Sequence, residues 1–255
     1  MPLVLVGVQP LWEGRIFRQT ELAAPSMRRY NALGYPSVAL TAELFPFASV
    51  PSKFLRGFGL TFHFARAFGF ESDSTRLGAF GDANAPPVDT FFVRYAAGLR
   101  YRIHTNPESE TPFVLGVSAS LSRWLFSFGS GLPSGPEVEM PTANYQMARL
   151  GFDAGLQVKR VTFYAYLNYL HAFSVAPPNT RELDTAYPYP FGAAGMGGEF
   201  RGAVGVRLAR WIELRLSLEY AIMAFHVKPL EWQAGSPERV LDSYLSAGLG
   251  PYVSF

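Results

Sequence analysis

The sequence has no cysteine among its 255 residues, so neither a disulfide framework nor a thiolate metal site can form. It also has no unbroken apolar run of the roughly 18–20 residues that a transmembrane helix needs. The longest mostly apolar stretch, residues 161–176, is interrupted by Thr162, Asn168, His171 and Ser174. A formal charge of +2 gives no reason to expect nucleic acid as a partner. If the chain crosses a membrane, it does so with strands, and only a closed barrel leaves no strand backbone unpaired in lipid.

Most of the chain shows apolar and polar residues in alternation, which is the pattern of β-strands with one apolar face. In the clearest segment, residues 212–222, the apolar face is aliphatic apart from Tyr220, and Glu213, Arg215, Ser217 and Glu219 lie on the other face. Similar segments cover residues 91–103, 113–125, 148–158, 161–173 and 200–208, with weaker ones at 38–45, 58–68 and 241–255 and a poor candidate at 3–11.

The connections between these segments alternate in length. The long ones cover residues 12–35, 71–89, 129–144, 176–198 and 228–240, and the short ones cover 48–55, 104–112, 159–160 and 209–211. Bacterial outer-membrane barrels have long outer loops and short periplasmic turns. We therefore predict one all-β domain over residues 1–255, a closed antiparallel up-and-down transmembrane β-barrel of about ten strands with both termini in the periplasm.

Strand length and the small residues on the polar face favour a membrane barrel over a soluble one. A tilted membrane strand needs about 9–11 residues, whereas strands of soluble proteins are usually about half as long. The polar faces mix charges with Gly, Ala and Ser, which suit a crowded lumen. The alternative is a soluble lipocalin-like barrel or a β-sandwich.

The end of the chain carries a recognisable pattern. Leu249, Val253 and the terminal Phe255 share one face of the last predicted strand. This ending resembles the C-terminal signal of Gram-negative outer-membrane β-barrel proteins, which the barrel-assembly machinery reads, although Pro251 stands where the family usually has a hydrophobic residue. The resemblance implies the bacterial outer membrane as the location. It also implies outer-membrane lipid, lipopolysaccharide and the assembly machinery as partners.

Export to the outer membrane requires a leader. No basic segment precedes residues 3–8, and that apolar run is too short for the core of a signal peptide. We therefore expect that a leader was removed.

The polar faces predict a network of charges inside the barrel. Its members are Arg94, Arg100, Arg102, Arg149, Asp153, Arg201, Arg207, Glu213, Arg215 and Glu219. A turn at residues 209–211 sets Arg207 opposite Glu213 and Arg201 opposite Glu219, whereas a slip of two residues would oppose Arg207 and Arg215. Arginine suits buried ion pairs with carboxylates, but a GC-rich genome would also enrich it. Ten strands lie close to the size at which side chains fill the lumen, so this network is either a structural plug or a selectivity device.

Candidate catalytic groups are few. A His226–Asp242 pair near the outer rim is similar to the His–Asp pair of omptin proteases, but strict alternation sends the two side chains to opposite faces, and no second acidic pair is evident. His171 and Ser174 are three residues apart and are predicted to lie on opposite faces. No spacing typical of a metal, phosphate or nucleotide site is present, so we expect no metal and no cofactor.

Aromatic residues are expected to form girdles near the strand ends. The candidates are Trp12, Tyr35, Tyr101, Phe113, Trp211 and Tyr252.

These observations favour a non-enzymatic subunit or anchor of an envelope assembly that binds protein partners through its loops. The alternative is a narrow pore for ions or small solutes, in which an arginine-rich lumen would favour anions. A hydrolase with its site at the outer rim is a third, more distant alternative.

Overall fold

The computed structural model describes residues 2–20, 30–72, 88–105, 111–128, 143–175, 195–226 and 239–255. The strands are β1 Val4–Thr20, β2 Tyr30–Leu44, β3 Phe58–Ala67, β4 Phe70–Ser72, β5 Val88–Thr105, β6 Phe113–Phe128, β7 Ala143–Val158, β8 Val161–Val175, β9 Gly195–Ala209, β10 Ile212–His226 and β11 Arg239–Ser254. A single helical turn, α1 Lys53–Arg56, lies between β2 and β3. Among these described residues, no helix is long and apolar enough to cross a membrane.

The strands form one closed antiparallel barrel. Each strand pairs with its neighbours in the chain, and β1 pairs with both β2 and β11, which closes the ring. The short strand β4 continues β3 after an interruption at Gly69, and both pair with β5, so the eleven strand segments make a barrel of ten strands. The predicted architecture is confirmed. The pairs β2 and β3, β5 and β6, β7 and β8, and β9 and β10 are each joined at the same end of the barrel as the two termini.

The N-terminal part of the barrel differs from the prediction. The sequence pattern predicts a poor strand at residues 3–11 followed by a long loop, but β1 continues to Thr20 and β2 begins at Tyr30. The alternation is hard to see here because the inward positions of β1 hold a carboxylate, a guanidinium and a phenyl ring, at Glu13, Arg15 and Phe17. A bulge at Gly34, whose φ is +81°, shifts the register between β1 and β2 after Glu13. Glycine is suited to this backbone conformation.

The outer surface of the barrel is an apolar band. Leucine side chains at mid-strand positions are among its most exposed members, such as Leu99, Leu121, Leu167 and Leu218. In water this much exposed apolar surface would be unfavourable, whereas lipid accepts it.

The interior has two layers. At the long-loop end, buried apolar side chains fill the lumen, and we call this cluster the apolar plug. Its large members are Phe17, Tyr35, Phe92, Trp124, Phe126, Tyr145, Met147, Leu170, Met223, Phe225 and Tyr244. Below the plug, toward the short turns, the lumen holds charged side chains. Two of the expected girdle residues therefore lie elsewhere, because Tyr35 and Tyr252 are buried inside the barrel, while Trp12 and Trp211 are exposed on its outside.

Candidate functional site

The charged layer begins directly below the apolar plug with Arg94 of β5. Its guanidinium forms ion pairs with Glu13 of β1, at 2.9 Å, and with Glu219 of β10. Its Nη2 atom also donates a hydrogen bond to Ser246 Oγ at 3.4 Å. Strands that are far apart in the sequence are thus joined across the lumen by one arginine.

A second group of charges lies nearer the short turns. Arg100 contacts Glu43 at 2.6 Å and Asp153 at 2.5 Å, and Arg102 contacts Glu43 at 2.8 Å. All four side chains are buried or nearly so. Pairing two arginines with two carboxylates keeps the charge of this group balanced in a site with little water.

The wall formed by β7 to β10 carries two further pairs. Arg149 pairs with Glu199, which also accepts a hydrogen bond from Asn168 Nδ2 at 2.7 Å. Arg215 contacts Glu213 at 2.8 Å, and its guanidinium carbon lies 4.1 Å from the ring centre of Tyr164 and 3.8 Å from that of Tyr252. The two rings hold Arg215 in one orientation.

The register of β9 and β10 is the predicted one, but the ion pairs differ. Glu213 is opposite Arg207 and Glu219 is opposite Arg201, with Leu208 as the extra residue of a bulge. Arg207 instead donates to Gln157 Oε1 at 2.9 Å, and Arg201 donates to Tyr252 Oη at 3.1 Å. Both carboxylates bind arginines other than those opposite them on β9.

Several charged residues of the lumen were missed by sequence reasoning. Glu13, Arg15 and Glu199 fall outside the predicted strands, and Glu43 and Asp242 were not assigned to the network. Arg15 and Asp242 form an ion pair within the apolar plug, at 2.7 Å, with both side chains fully buried. The signal that could have found them is the surplus of arginine in the predicted lumen, which requires more carboxylates than the pattern supplied.

The register of the strands does not favour the candidate catalytic pairs. Asp242 is bound to Arg15 and is opposite Met223, whereas His226, whose side chain lies outside the described residues, is opposite Arg239 in the backbone register. The structure also corrects the predicted faces of His171 and Ser174. A shift in the pairing of β7 and β8 sets Ser174 opposite the outward-facing Gln146, so both residues face outward. No group of His, Asp and Glu in the described part of the chain could hold a metal ion.

Two cavities remain in the lumen. The larger, which we call the cup, has a volume of about 300 Å³ and opens at the short-turn end. The smaller, of about 90 Å³, lies in the charged layer. Asp153, Arg215 and Tyr252 line both cavities.

The C-terminal residues close the barrel. The backbone N–H of Phe255 donates to the Val4 carbonyl at 2.9 Å, and its own carbonyl accepts from Leu3 at 2.7 Å. The side chains of Phe255 and Leu249 are exposed on the apolar outer face, with Val253 half-buried beside them. That the assembly machinery reads these three side chains stays a prediction.

Comparison with known proteins identifies the fold of the chain. No protein-family model matches the chain. No curated protein matches it either. Among solved structures, the outer-membrane protease OmpT of Escherichia coli matches with a TM-score of 0.53 and 9% identity, covering 99% of this chain and 96% of OmpT. The chain has the fold of an outer-membrane β-barrel. This fold and the apolar outer band agree with the bacterial outer membrane as the location expected from the sequence.

Other outer-membrane barrels match at lower scores. Neisserial surface protein A matches with a TM-score of 0.35 and 10% identity, over 98% of this chain and 97% of its own. The toluene transporter TodX of P. putida matches with a TM-score of 0.29 and 8% identity, over 99% of this chain and 89% of its own.

The likeness to OmpT corrects one expectation. The absence of a catalytic motif led to the prediction that the chain is not an enzyme, and that prediction is wrong, because the barrel that it resembles in shape and length is a protease. At 9% identity the likeness shows the fold alone.

Proposed function

We propose that this outer-membrane barrel is a membrane-embedded subunit or anchor of an envelope assembly, which binds protein partners through its long loops. The observation that carries the proposal is the apolar plug. Trp124, Phe126, Met147, Leu170 and Met223 are each at most 1% exposed, although they point into the lumen. An open conduit would leave side chains at this level in contact with water.

The ion pairs below the plug support the same proposal. Arg94 and Arg100 each bridge two carboxylates from different strands, so they fasten the walls of the barrel to each other. In a pore that selects anions, arginines would instead face the permeating solute. The interior therefore favours a rigid closed body over a channel.

Single-channel conductance in a planar lipid bilayer tests this proposal. Insertion is verified first, by the resistance of the folded barrel to protease and to sodium dodecyl sulfate. The wild-type barrel is expected to be silent, and a Phe126→Ala/Met223→Ala variant that shortens two plug side chains serves as the positive control. Discrete steps from the wild type, with a preference for anions, would overturn the proposal in favour of the narrow pore.

A second candidate is hydrolysis at the long-loop end, and the likeness to OmpT in fold favours it. The reconstituted barrel would be incubated with a peptide library, and products would be identified by mass spectrometry. Loss of cleavage in His226→Ala but not in the outward-facing His171→Ala would support a site at the outer rim. Absence of any cleavage by the wild type would remove this candidate.

The partners expected from the C-terminal pattern are part of the proposal. We propose that the apolar band contacts outer-membrane lipid and lipopolysaccharide, and that the barrel-assembly machinery reads Leu249, Val253 and Phe255. Phe255→Ala should slow folding into proteoliposomes that contain this machinery. Leu208→Ala, which truncates another exposed side chain on the outer face, is the control. Equal folding rates for the two variants would contradict the proposal that the barrel-assembly machinery recognises Phe255.

A further inference from the structure

We propose that the cup is a binding site for small organic polyanions, carboxylates or phosphates, which enter it from the periplasm. The cup opens at the end of the barrel that carries the short turns and both termini, which is the periplasmic end in bacterial barrels. Its volume of about 300 Å³ is at the lower end of the range of small-molecule sites. This inference goes beyond the proposed function, because neither anchoring nor closure of the lumen needs a ligand here.

The cup lies below the apolar plug. Asp153, Arg215 and Tyr252 line both the cup and the smaller cavity, and the apolar plug fills the lumen above the smaller cavity. A molecule that enters from the periplasm can therefore be held at the mouth, but the described side chains leave it no path to the other end. Such a site suits binding and not transport.

The charges that line the cup are unbalanced. Four arginines line it, at 102, 207, 210 and 215, against two carboxylates, Asp153 and Glu213. Both carboxylates are already engaged, because Glu213 binds Arg215 at 2.8 Å and Asp153 binds Arg100, which lies outside the cup, at 2.5 Å. Arg102 is likewise paired with Glu43, outside the cup, at 2.8 Å, so two of the four arginines are left without a carboxylate partner among the described residues. Any anion that enters meets positive charge that the barrel itself does not neutralise.

Arg207 and Arg210 are the two guanidinium groups that remain for a ligand. Arg207 lies opposite Glu213 in the sheet but donates to the neutral Gln157 Oε1 instead. Arg210 is exposed in the turn between β9 and β10, and no ion pair with it is found among the described residues. A guanidinium group presents paired donors that match the two oxygens of a carboxylate or the oxygens of a phosphate.

The rest of the lining favours an organic anion over a simple inorganic ion. Trp211, Ile212, Leu5 and Val114 contribute apolar surface to the same cavity. The hydroxyl of Tyr164, whose ring packs on Arg215, donates to Glu213 at 3.2 Å. One side of the cup is thus apolar and the other is positively charged and firmly held, as in sites that bind a carbon skeleton carrying acidic groups.

Binding of the fluorescent probe pyranine, a pyrene with three sulfonate groups, tests the site. The folded barrel in uncharged detergent at low salt is titrated, and fluorescence anisotropy is recorded. We expect saturable binding that weakens about tenfold or more in Arg207→Gln/Arg210→Gln, because hydrogen bonds to charged groups are lost. The matched control is Arg56→Gln/Arg160→Gln, which removes the same charge from periplasmic turns outside the cup and should change the affinity by less than about twofold.

Competition identifies the acidic group. Citrate and pyrophosphate are added to the pyranine complex, and displacement by both, or by one of them, supports the site and tells which oxygen chemistry it prefers. The proposal is overturned if the wild type shows no saturable binding, or if the control variant weakens binding as much as the cup variant does. Because conductance does not report on the cup, these failures are distinguishable from failure of the proposed function.

Discussion

Replacing Asp242 by alanine should destabilise the barrel by about 3–5 kcal/mol, because the change leaves the charge of Arg15 without its carboxylate inside the apolar plug. Both side chains of this ion pair are fully buried. Water therefore has no ready access to replace the carboxylate. The stability loss should exceed that of an exposed ion pair, which contributes about 0–1 kcal/mol.

The expected loss of stability follows from the hydrogen bonds that Asp242 accepts. Its Oδ1 accepts from Arg15 Nε at 2.9 Å, and its Oδ2 accepts from Arg15 Nη2 at 2.7 Å, Tyr145 Oη at 2.6 Å and Tyr244 Oη at 2.9 Å. Alanine removes the acceptor from all four donors at once. The ring of Phe126, whose centre is 4.3 Å from Arg15 Cζ, keeps a cation–π contact, but such contacts contribute only about 0.5–2 kcal/mol.

Equilibrium unfolding by urea in phospholipid vesicles, followed by tryptophan fluorescence, measures the effect. The informative control is Arg15→Met/Asp242→Leu, which removes both charges and keeps the volume. It should recover most of the lost stability, since a buried ion pair can often be replaced by packed apolar residues. The reasoning is refuted if Asp242→Ala loses less than about 1 kcal/mol, or if the double variant is no more stable than the single one.

Two further predictions concern the membrane face and the bulge. Leu121→Arg, at mid-strand on the outer face, should destabilise the barrel by about 2–4 kcal/mol, whereas Leu208→Arg, near a periplasmic turn, should lose only about 0–1 kcal/mol; equal losses in urea unfolding would contradict the depth assigned to the apolar band. Gly34→Ala should lose about 1–2 kcal/mol by the same assay, because its φ of +81° disfavours a side chain although nothing lies within 4 Å of the added carbon. Gly155→Ala, where the added carbon meets Tyr164 at an ordinary 3.5 Å, is its control and should be near neutral.

The strands could be predicted from the sequence where the side chains that face the lumen are polar and those that face lipid are apolar. In β10, charges and small residues face inward while leucines face outward, so both the strand and its register with β9 are legible. At the long-loop end this contrast disappears, because Phe92, Trp124 and Met223 point inward and are as apolar as the outer face. The apolar plug was therefore invisible to a search for alternation.

The partners of the lumen charges could not be predicted for a different reason. Alternation determines which residue is opposite Arg207 or Arg201 on the next strand, but an arginine side chain is long enough to pass its neighbour. Arg94 shows the result, since it joins β1 and β10 while belonging to β5. Which carboxylate it contacts depends on how the barrel closes, because closure brings β1 and β10 opposite β5. The alternation of residues within one strand does not predict that arrangement.

The hydrogen bond from the backbone N–H of Leu3 to the carbonyl of Phe255, at 2.7 Å, holds the two ends of the described chain together. The described chain therefore runs once around the barrel and returns to its starting point. A short linker could join them, and new ends could be opened between β8 and β9, which are joined at the opposite end of the barrel. Such a permuted chain would offer both of its ends on the outer side of the membrane, where tags or binding modules could be displayed in pairs.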